Sequence, residues 1–413
     1  MMADIKRKVP NLRFKGFTDD WEQRKLGGLF STITDYVANG SFKSLRDHVK
    51  TYDTPNYAYM IRLIDASNDW KGPWLYTDRN GYSFLRKTSL KTNDVLLSNV
   101  GAGVGKTFLV PNLDKPMTLA PNSVLLRSSL FNERYLFYLI NTCKNKNKIL
   151  SMVGISAQPK LNKTDFKEVK VNTSLQKQEQ LKIEETLSLI ENNITLQQRK
   201  LDLLKQLKKG LLQKMFADKD SKQPILRFKG FHDDWEQRKL GEVFLYKQGI
   251  QVPVEQQYSQ KLPGLIRFIR ISDIVSSNEP PRFINYHGTN LIKPDDLFMV
   301  RYGNPGMISM GYSGVIANNL FRLIPKKNIY TLFFYFLLIF ENKRLNSLVS
   351  NTTMPALSFK ALDTFYVNFP EKLSEQKVIG SLLKKLDSLI TLQQRRLTKL
   401  NTIKKSLLQQ MFI

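Results

Sequence analysis

One cysteine in 413 residues, Cys143, excludes an internal disulfide and fits a reducing compartment. Three histidines, His48, His232 and His287, lie too far apart along the chain to offer zinc-ligand spacing. Long apolar runs are missing too. The greasiest, IYTLFFYFLLIF at 329–340, has about 12 residues against the 17 to 25 that cross a bilayer, so it reads as a buried helix. The N-terminus, MMADIKRKVP, is charged with no apolar stretch behind it, which is not the pattern of a secretory signal. A cytoplasmic protein with no membrane partner is expected. Acidic residues are scarce: 36 Asp and Glu against 63 Lys and Arg leave a formal charge of +27. That excess points to a polyanionic partner and says nothing about fold. With 42% hydrophobic residues the chain is no disordered basic tail, so the charge sits on folded structure.

What the chain does have is repetition. PNLRFKGFTDDWEQRKLGGLF at 10–30 returns as PILRFKGFHDDWEQRKLGEVF at 224–244, with about 17 of 21 positions identical. ITLQQRKLDLLKQLKKGLLQKMF at 194–216 returns as ITLQQRRLTKLNTIKKSLLQQMF at 390–412. The front copies are offset by 214 and the back copies by 196, so the second intervening insert is shorter by about 18 residues. A period near 200 residues is domain-sized and excludes a solenoid. The order is frame, insert, helix, twice over. It divides the chain into a domain at 10–173, a helix at 174–217, a domain at 218–370 and a helix at 371–413.

Sparse echoes keep the two inserts on one plan. YMIRLID at 59–65 matches RFIRISD at 267–273, NDVLLSNVGAGVGK at 93–106 matches DDLFMVRYGNPGMI at 295–308, and Pro159 and Leu161 match Pro355 and Leu357. Runs such as VLLSNV, TFLV, SVLLR, LIRFIRI and GVIANNLFRLI lie between Gly, Pro and Asn punctuation, which is strand and turn chemistry. Tyr135 to Cys143 and Tyr330 to Leu345 carry apolar residues without turn signals and predict helices covering the sheets. Each insert is therefore α/β, of the α+β kind.

The back frames predict long helices. Ile183, Leu187, Ile190, Ile194, Gln197, Leu201, Leu204, Lys208, Leu211 and Met215 step by 4 and 3, and Leu386, Ile390, Gln393, Leu397, Leu400, Lys404, Leu407 and Met411 repeat the pattern. Alternating 3 and 4 spacing is the seam of a left-handed coiled coil. About 44 residues of helix would measure roughly 66 Å. Gln197, Lys208, Gln393 and Lys404 interrupt the apolar seam. They are either register devices or positions where the helix turns away into solvent, and the pattern leaves both open. Two like domains whose helices pack antiparallel imply a pseudo-twofold axis, which duplex DNA also has, so two half-sites on opposite strands are the natural target. Since the inserts differ, the half-sites should differ.

This layout resembles the DNA specificity subunit of type I restriction and modification systems. WEQRKLG at 21–27 and 235–241, the YMIRLID and RFIRISD segments, DVLLSNVGAGVGK and DDLFMVRYGNPGM, and the twin ITLQQR helices carry the resemblance over almost the whole chain. It implies two target recognition domains, each reading half of a split asymmetric site in double-stranded DNA. It further implies two long antiparallel helices acting as spacer and as docking site for two DNA methylation subunits. Restriction and translocation subunits would join them in defence against foreign DNA. S-adenosylmethionine, ATP and magnesium are then expected on partner subunits, with no cofactor, metal or catalytic residue in this chain. The spacer helix departs from the family in one respect, having no tandem short repeat that would encode the gap length.

Competing chemistry is weaker. VGAGVGKT at 100–107 has Val100 where the nucleotide-binding P-loop needs Gly, and its counterpart VRYGNPGMI has lost the GK pair. A hairpin that lets backbone approach DNA phosphates, or simply a tight turn, is the better reading. Methyltransfer lacks its motifs, and no clustered Asp, Glu and Lys set suggests a nuclease. The alternative function is a scaffold that binds nucleic acid without sequence preference and assembles through its helices. For base reading, Arg and Lys suit guanine, while Asn and Gln suit adenine. Candidates are Arg62, Trp70, Lys71, Arg79, Asn99 and Lys106 in the first insert, and Arg267, Arg270, Arg282, Arg301, Tyr302 and Asn304 in the second. Arg62 and Arg270 sit at matched places beside Asp65 and Asp273, so an internal ion pair is the competing reading. Asn99 against Arg301 is a matched position that changes chemistry, as two different readers would. Trp21 and Trp235, in identical frames, are expected in the core.

Overall fold

The computed structural model describes residues 8–154, 158–275, 279–349 and 355–413. The MMADIKR stretch, part of the segment without a secretory pattern, lies outside the described residues. The chain divides into two compact units, Met1–Leu196 with Leu397–Ile413, and Gln197–Arg396.

Unit 1 is built on two sheets. The first is antiparallel in the spatial order Thr32–Asp35, Ser123–Arg127, Val95–Ser98, Thr107–Leu109. VLLS and most of SVLLR are buried because the sheet is covered on both sides. Leu96 and Leu125 face the apolar cluster of the second sheet, while Val95, Leu97, Val124 and Leu126 face the helix Glu133–Asn141. Asn132 caps that helix by accepting from the Tyr135 amide. Thr142 ends it and caps the next helix, Cys143–Leu150, so the helix expected from Tyr135 to Cys143 is present but stops at Asn141, and Cys143 opens a second. In the second sheet Ala58–Ile61 and Met117–Leu119 run parallel, flanked by Tyr76–Thr77 with Thr51–Tyr52 and by Ser89–Leu90.

Unit 2 repeats this plan in shorter form. Its main sheet runs Phe244–Gln248, Leu320–Pro325, Leu297–Val300, Ile308–Ser309, and its smaller sheet runs Arg282–Asn285, Leu265–Ile269, Val315–Ile316. The greasy run is indeed a buried helix, Thr331–Phe340, with Phe333, Phe334, Phe336, Leu337 and Leu338 fully enclosed. Among the described residues no helix is long and apolar enough to cross a membrane.

The repeated frames anchor each unit. Glu22–Lys25 pairs antiparallel with Lys170–Thr173, and Glu236–Lys239 pairs likewise with Tyr366–Phe369. Trp21 is buried and donates to Glu179 at 3.2 Å, while Arg13 holds both oxygens of that carboxylate at 2.6 and 3.0 Å. Trp235, Glu375 and Arg227 duplicate the arrangement, with the arginine at 2.7 and 2.9 Å. Phe412 closes against Trp21 with ring centroids 5.9 Å apart, and Phe216 closes against Trp235 at 6.4 Å. In each unit the clasp thus joins the opening frame, the start of one long helix and the end of the other.

Those helices run Lys177–Met215 and Leu373–Gln410. In unit 1 Glu191 pairs with Lys404 at 2.7 Å, and Ile183 and Leu187 share a cluster with Leu407 and Met411. In unit 2 Lys208 pairs with Asp387, and Leu211 and Met215 share a cluster with Ile379 and Leu383. Rising numbers meet falling ones, so the segments are antiparallel within each unit. The seam positions named from spacing are the ones withdrawn from solvent, including Ile190, Ile194, Leu201, Leu204, Leu386, Ile390, Leu397 and Leu400. Leucines off the seam, Leu189, Leu196, Leu203 and Leu207, remain exposed. The polar interruptions belong to the seam: Gln393 is buried and its amide nitrogen donates to the Gln197 carbonyl at 3.0 Å and to the Gln197 side chain.

Candidate nucleic-acid interface

Each main sheet ends in a glycine hairpin at the same place. After Val95–Ser98 the chain turns through 99–106, and after Leu297–Val300 it turns through 301–307. Both turns are closed by equivalent backbone bonds, Gly105 to the Ser98 carbonyl at 2.8 Å and Gly306 to the Val300 carbonyl at 3.0 Å. Gly101 and Gly105 have φ of +81° and +80°, and Gly303 and Gly306 have +93° and +83°, a region that side chains with a Cβ avoid. The glycines are therefore explained by the turn. A P-loop must lead into a helix, whereas Thr107–Leu109 is a strand returning antiparallel to Val95–Ser98. The hairpin is not a nucleotide-binding loop.

Strand register shows that these hairpins begin at equivalent positions, the second being one residue shorter. Val124 pairs with Leu97 on one side and Asp35 on the other; Phe321 pairs with Met299 and Gln248 in the same way. Asn99 and Arg301 each follow two residues after those partners and each accept from a Leu amide, Leu161 at 2.9 Å and Leu357 at 3.1 Å. The matched positions nonetheless hold different chemistry. Among the described residues the buried Oδ1 of Asn99 accepts no hydrogen bond, and neither does Oδ1 of Asp35. Arg301 instead lies between the rings of Tyr302 and Phe359, 5.0 and 4.7 Å from their centroids, and its Nη1 donates to Gln248. Lys106 and Asn304 project as exposed side chains from their respective hairpins. The structure thus brings Asn99 together with Lys106, and Arg301 with Tyr302 and Asn304.

Other candidates lie elsewhere. Arg62 donates to both Asp65 oxygens at 2.7 and 3.1 Å and to the Pro73 carbonyl at 2.7 Å, and these hydrogen bonds with Asp65 raise its pKa. Arg270 bonds Asp273 at 3.4 Å, Glu279 at 3.0 Å and the Pro280 carbonyl, while Arg267 reaches the same Asp273 at 2.5 Å. These three guanidinium groups hold the loops beside them. Trp70 packs half-buried on the core of the second sheet from a left-handed backbone of φ +58°. Lys71 is exposed beside Asp69, Arg79 lies 5.7 Å over the exposed Tyr57 ring, and Arg282 sits on an edge strand. Asp35, Gln248 and Phe359 were not legible as site residues. Each reaches its hairpin through sheet pairing or from a distant segment, and no local pattern marks it.

A model of the type I restriction modification DNA specificity domain matches residues 18–206 and again 232–402. The chain belongs to that family. Among curated relatives of this specificity family, the type I restriction enzyme MjaVIII specificity subunit of Methanocaldococcus jannaschii is 24% identical over 84% of this chain and 86% of its own. The MjaX relative from the same organism is 23% identical over 94% of this chain and 92% of its own. The solved S subunit of the type I restriction-modification system of M. genitalium shares the fold, with a TM-score of 0.65 at 18% identity over 98% of this chain and 99% of the other. Both copies of the specificity domain matched by the family model contain a hairpin, so the position that differs between Asn99 and Arg301 lies inside the specificity domain itself.

Proposed function

We infer that this chain is the sequence-reading DNA specificity subunit of a type I restriction and modification enzyme, with each unit reading one half of a bipartite asymmetric site. The observation that carries this is one specificity domain present twice, with hairpins alike in backbone and unlike in chemistry. A nonspecific scaffold has no use for that difference. The chain performs no catalysis itself. It directs adenine methylation, and restriction, by partner subunits, which hold S-adenosylmethionine, ATP and magnesium; the paired helices between the frames dock two methylation subunits and set the unread gap.

Sequencing methylated adenines in cells carrying this chain with its methylation partners tests the reading. The expected result is a split motif with an unread gap, and lengthening the helix within 187–216 should lengthen the gap alone. A continuous motif, or none, would overturn it. Phosphate contact supplies an independent check. Eight contacts, taken for illustration, give a log-affinity against log-salt slope of about −7, and a slope near zero would count against DNA binding.

A further inference from the structure

The hairpin of unit 1 borders a recess of about 250 Å³, lined by Asp35, Tyr36, Asn99, Asn122 and Lys160, with the exposed side chain of Phe42 on its wall. Two of its lining residues carry a buried acceptor, Oδ1 of Asp35 and Oδ1 of Asn99, and neither receives a hydrogen bond among the described residues. Burying an acceptor without a donor is destabilising. Two such atoms in one recess call for a ligand that donates. Lys163 already holds the other Asp35 oxygen at 2.8 Å and Lys160 lines the wall, so the site is offset against cations and suits a neutral donor. At the matched place in unit 2 the polarity is reversed. Gln248 stands for Asp35 and Arg301 for Asn99, and the arginine is oriented by Gln248 and two rings.

We propose that the Asp35–Asn99 recess reads the exocyclic amino group of an adenine or cytosine, and that Arg301 reads a keto base, guanine or thymine, at the corresponding place in the other half-site. In the major groove only adenine N6 and cytosine N4 donate, whereas guanine O6 and N7 and thymine O4 accept. Acceptors without partners therefore select amino bases on the strand they face, and a buttressed guanidinium selects keto bases. Exposed Phe42 and Val37, at 73% and 45%, add apolar surface to the recess wall where a base or sugar edge would pack. This deepens the specificity reading and rests on it.

The test uses the full chain assembled with its methylation subunit. Half-site 1 is defined as the half left unchanged when residues 245–370 are exchanged. Duplexes lacking one amino group at a time, purine for adenine or 2-pyrimidinone for cytosine, are scanned through half-site 1 on both strands, sparing the methylated adenine. One position should weaken binding by about ten- to a hundredfold, and the paired change D35Q with N99R should abolish that sensitivity. In the methylome the same variant should convert one amino base of half-site 1 to a keto base and leave half-site 2 intact. If no amino group in half-site 1 matters to the unaltered protein, the recess is not a reader, whatever the variant's folding. A variant that folds and retains the original motif also overturns the proposal. Loss of all specific binding by the unaltered protein would instead overturn the specificity reading beneath it, and the recess with it.

Discussion

In the two units the clasp is chemically identical and the hairpin is not. Arg13, Trp21, Glu179 and Phe412 have their counterparts in Arg227, Trp235, Glu375 and Phe216, down to a bidentate arginine on a buried carboxylate. The hairpins share two left-handed glycines and their closing bonds, yet Asn99 faces Arg301 and Lys106 faces Met307 across the comparison. Fixed parts carry geometry, because a buried carboxylate tolerates no change of partner. Side chains pointing away from the turn are free to vary, since the backbone that displays them is set by glycine and strand pairing.

The largest expected effect comes from exchanging residues 245–370 for another insert. One half of the methylated motif should be replaced and the other left intact, read by methylome sequencing; a change in both halves would break the comparison. Next is the clasp. Glu179→Ala and Glu375→Ala each strand a largely buried arginine and a tryptophan N–H, and each should cost about 3 to 5 kcal/mol in denaturant unfolding. Comparable losses would sharpen the equivalence, whereas a loss confined to one unit would refute it. Arg301→Ala should cost about 1 to 3 kcal/mol on duplexes carrying the unit 2 half-site and alter discrimination at one position only. Duplex competition measures this, and an equal loss on every sequence would reduce Arg301 to a phosphate contact. Smaller still, replacing Gln197 and Gln393 together by Leu should leave stability within about 1.5 kcal/mol while loosening register, because removing both partners leaves nothing unpaired. Disulfide trapping between neighbouring seam positions would detect the slippage. Least is Lys71→Ala, whose ion pair with Asp69 is solvent-exposed and should contribute under about 1 kcal/mol.

Much of this plan could be read from residue order. The 3 and 4 steps from Ile183 to Met215 and from Leu386 to Met411 named the buried seam, since a helix face is a local consequence of its own spacing. VLLS, SVLLR and LIRFI were legible as strands, and the identical frames marked Trp21 and Trp235 as core. The strands made by WEQRK were not foreseen: EQRK alternates no apolar residues and pairs only because Lys170–Thr173 and Tyr366–Phe369 arrive beside it. Whether Gln197 and Gln393 were seam or surface also stayed open, because spacing fixes a face and not what lies opposite.

By itself, then, the amino-acid order determined the duplication, the helical seams, the strand-rich inserts and a matched position, Asn99 against Arg301, where the copies change chemistry. Tertiary structure alone decided that Phe412 closes on Trp21 and Phe216 on Trp235, that Arg62 and Arg270 are committed to Asp65 and Asp273, and that Asp35 and Asn99 share a recess. Periodicity expresses forces between residues a few positions apart, whereas these contacts join segments from distant parts of the chain, whose meeting depends on strand register and on which helix end arrives.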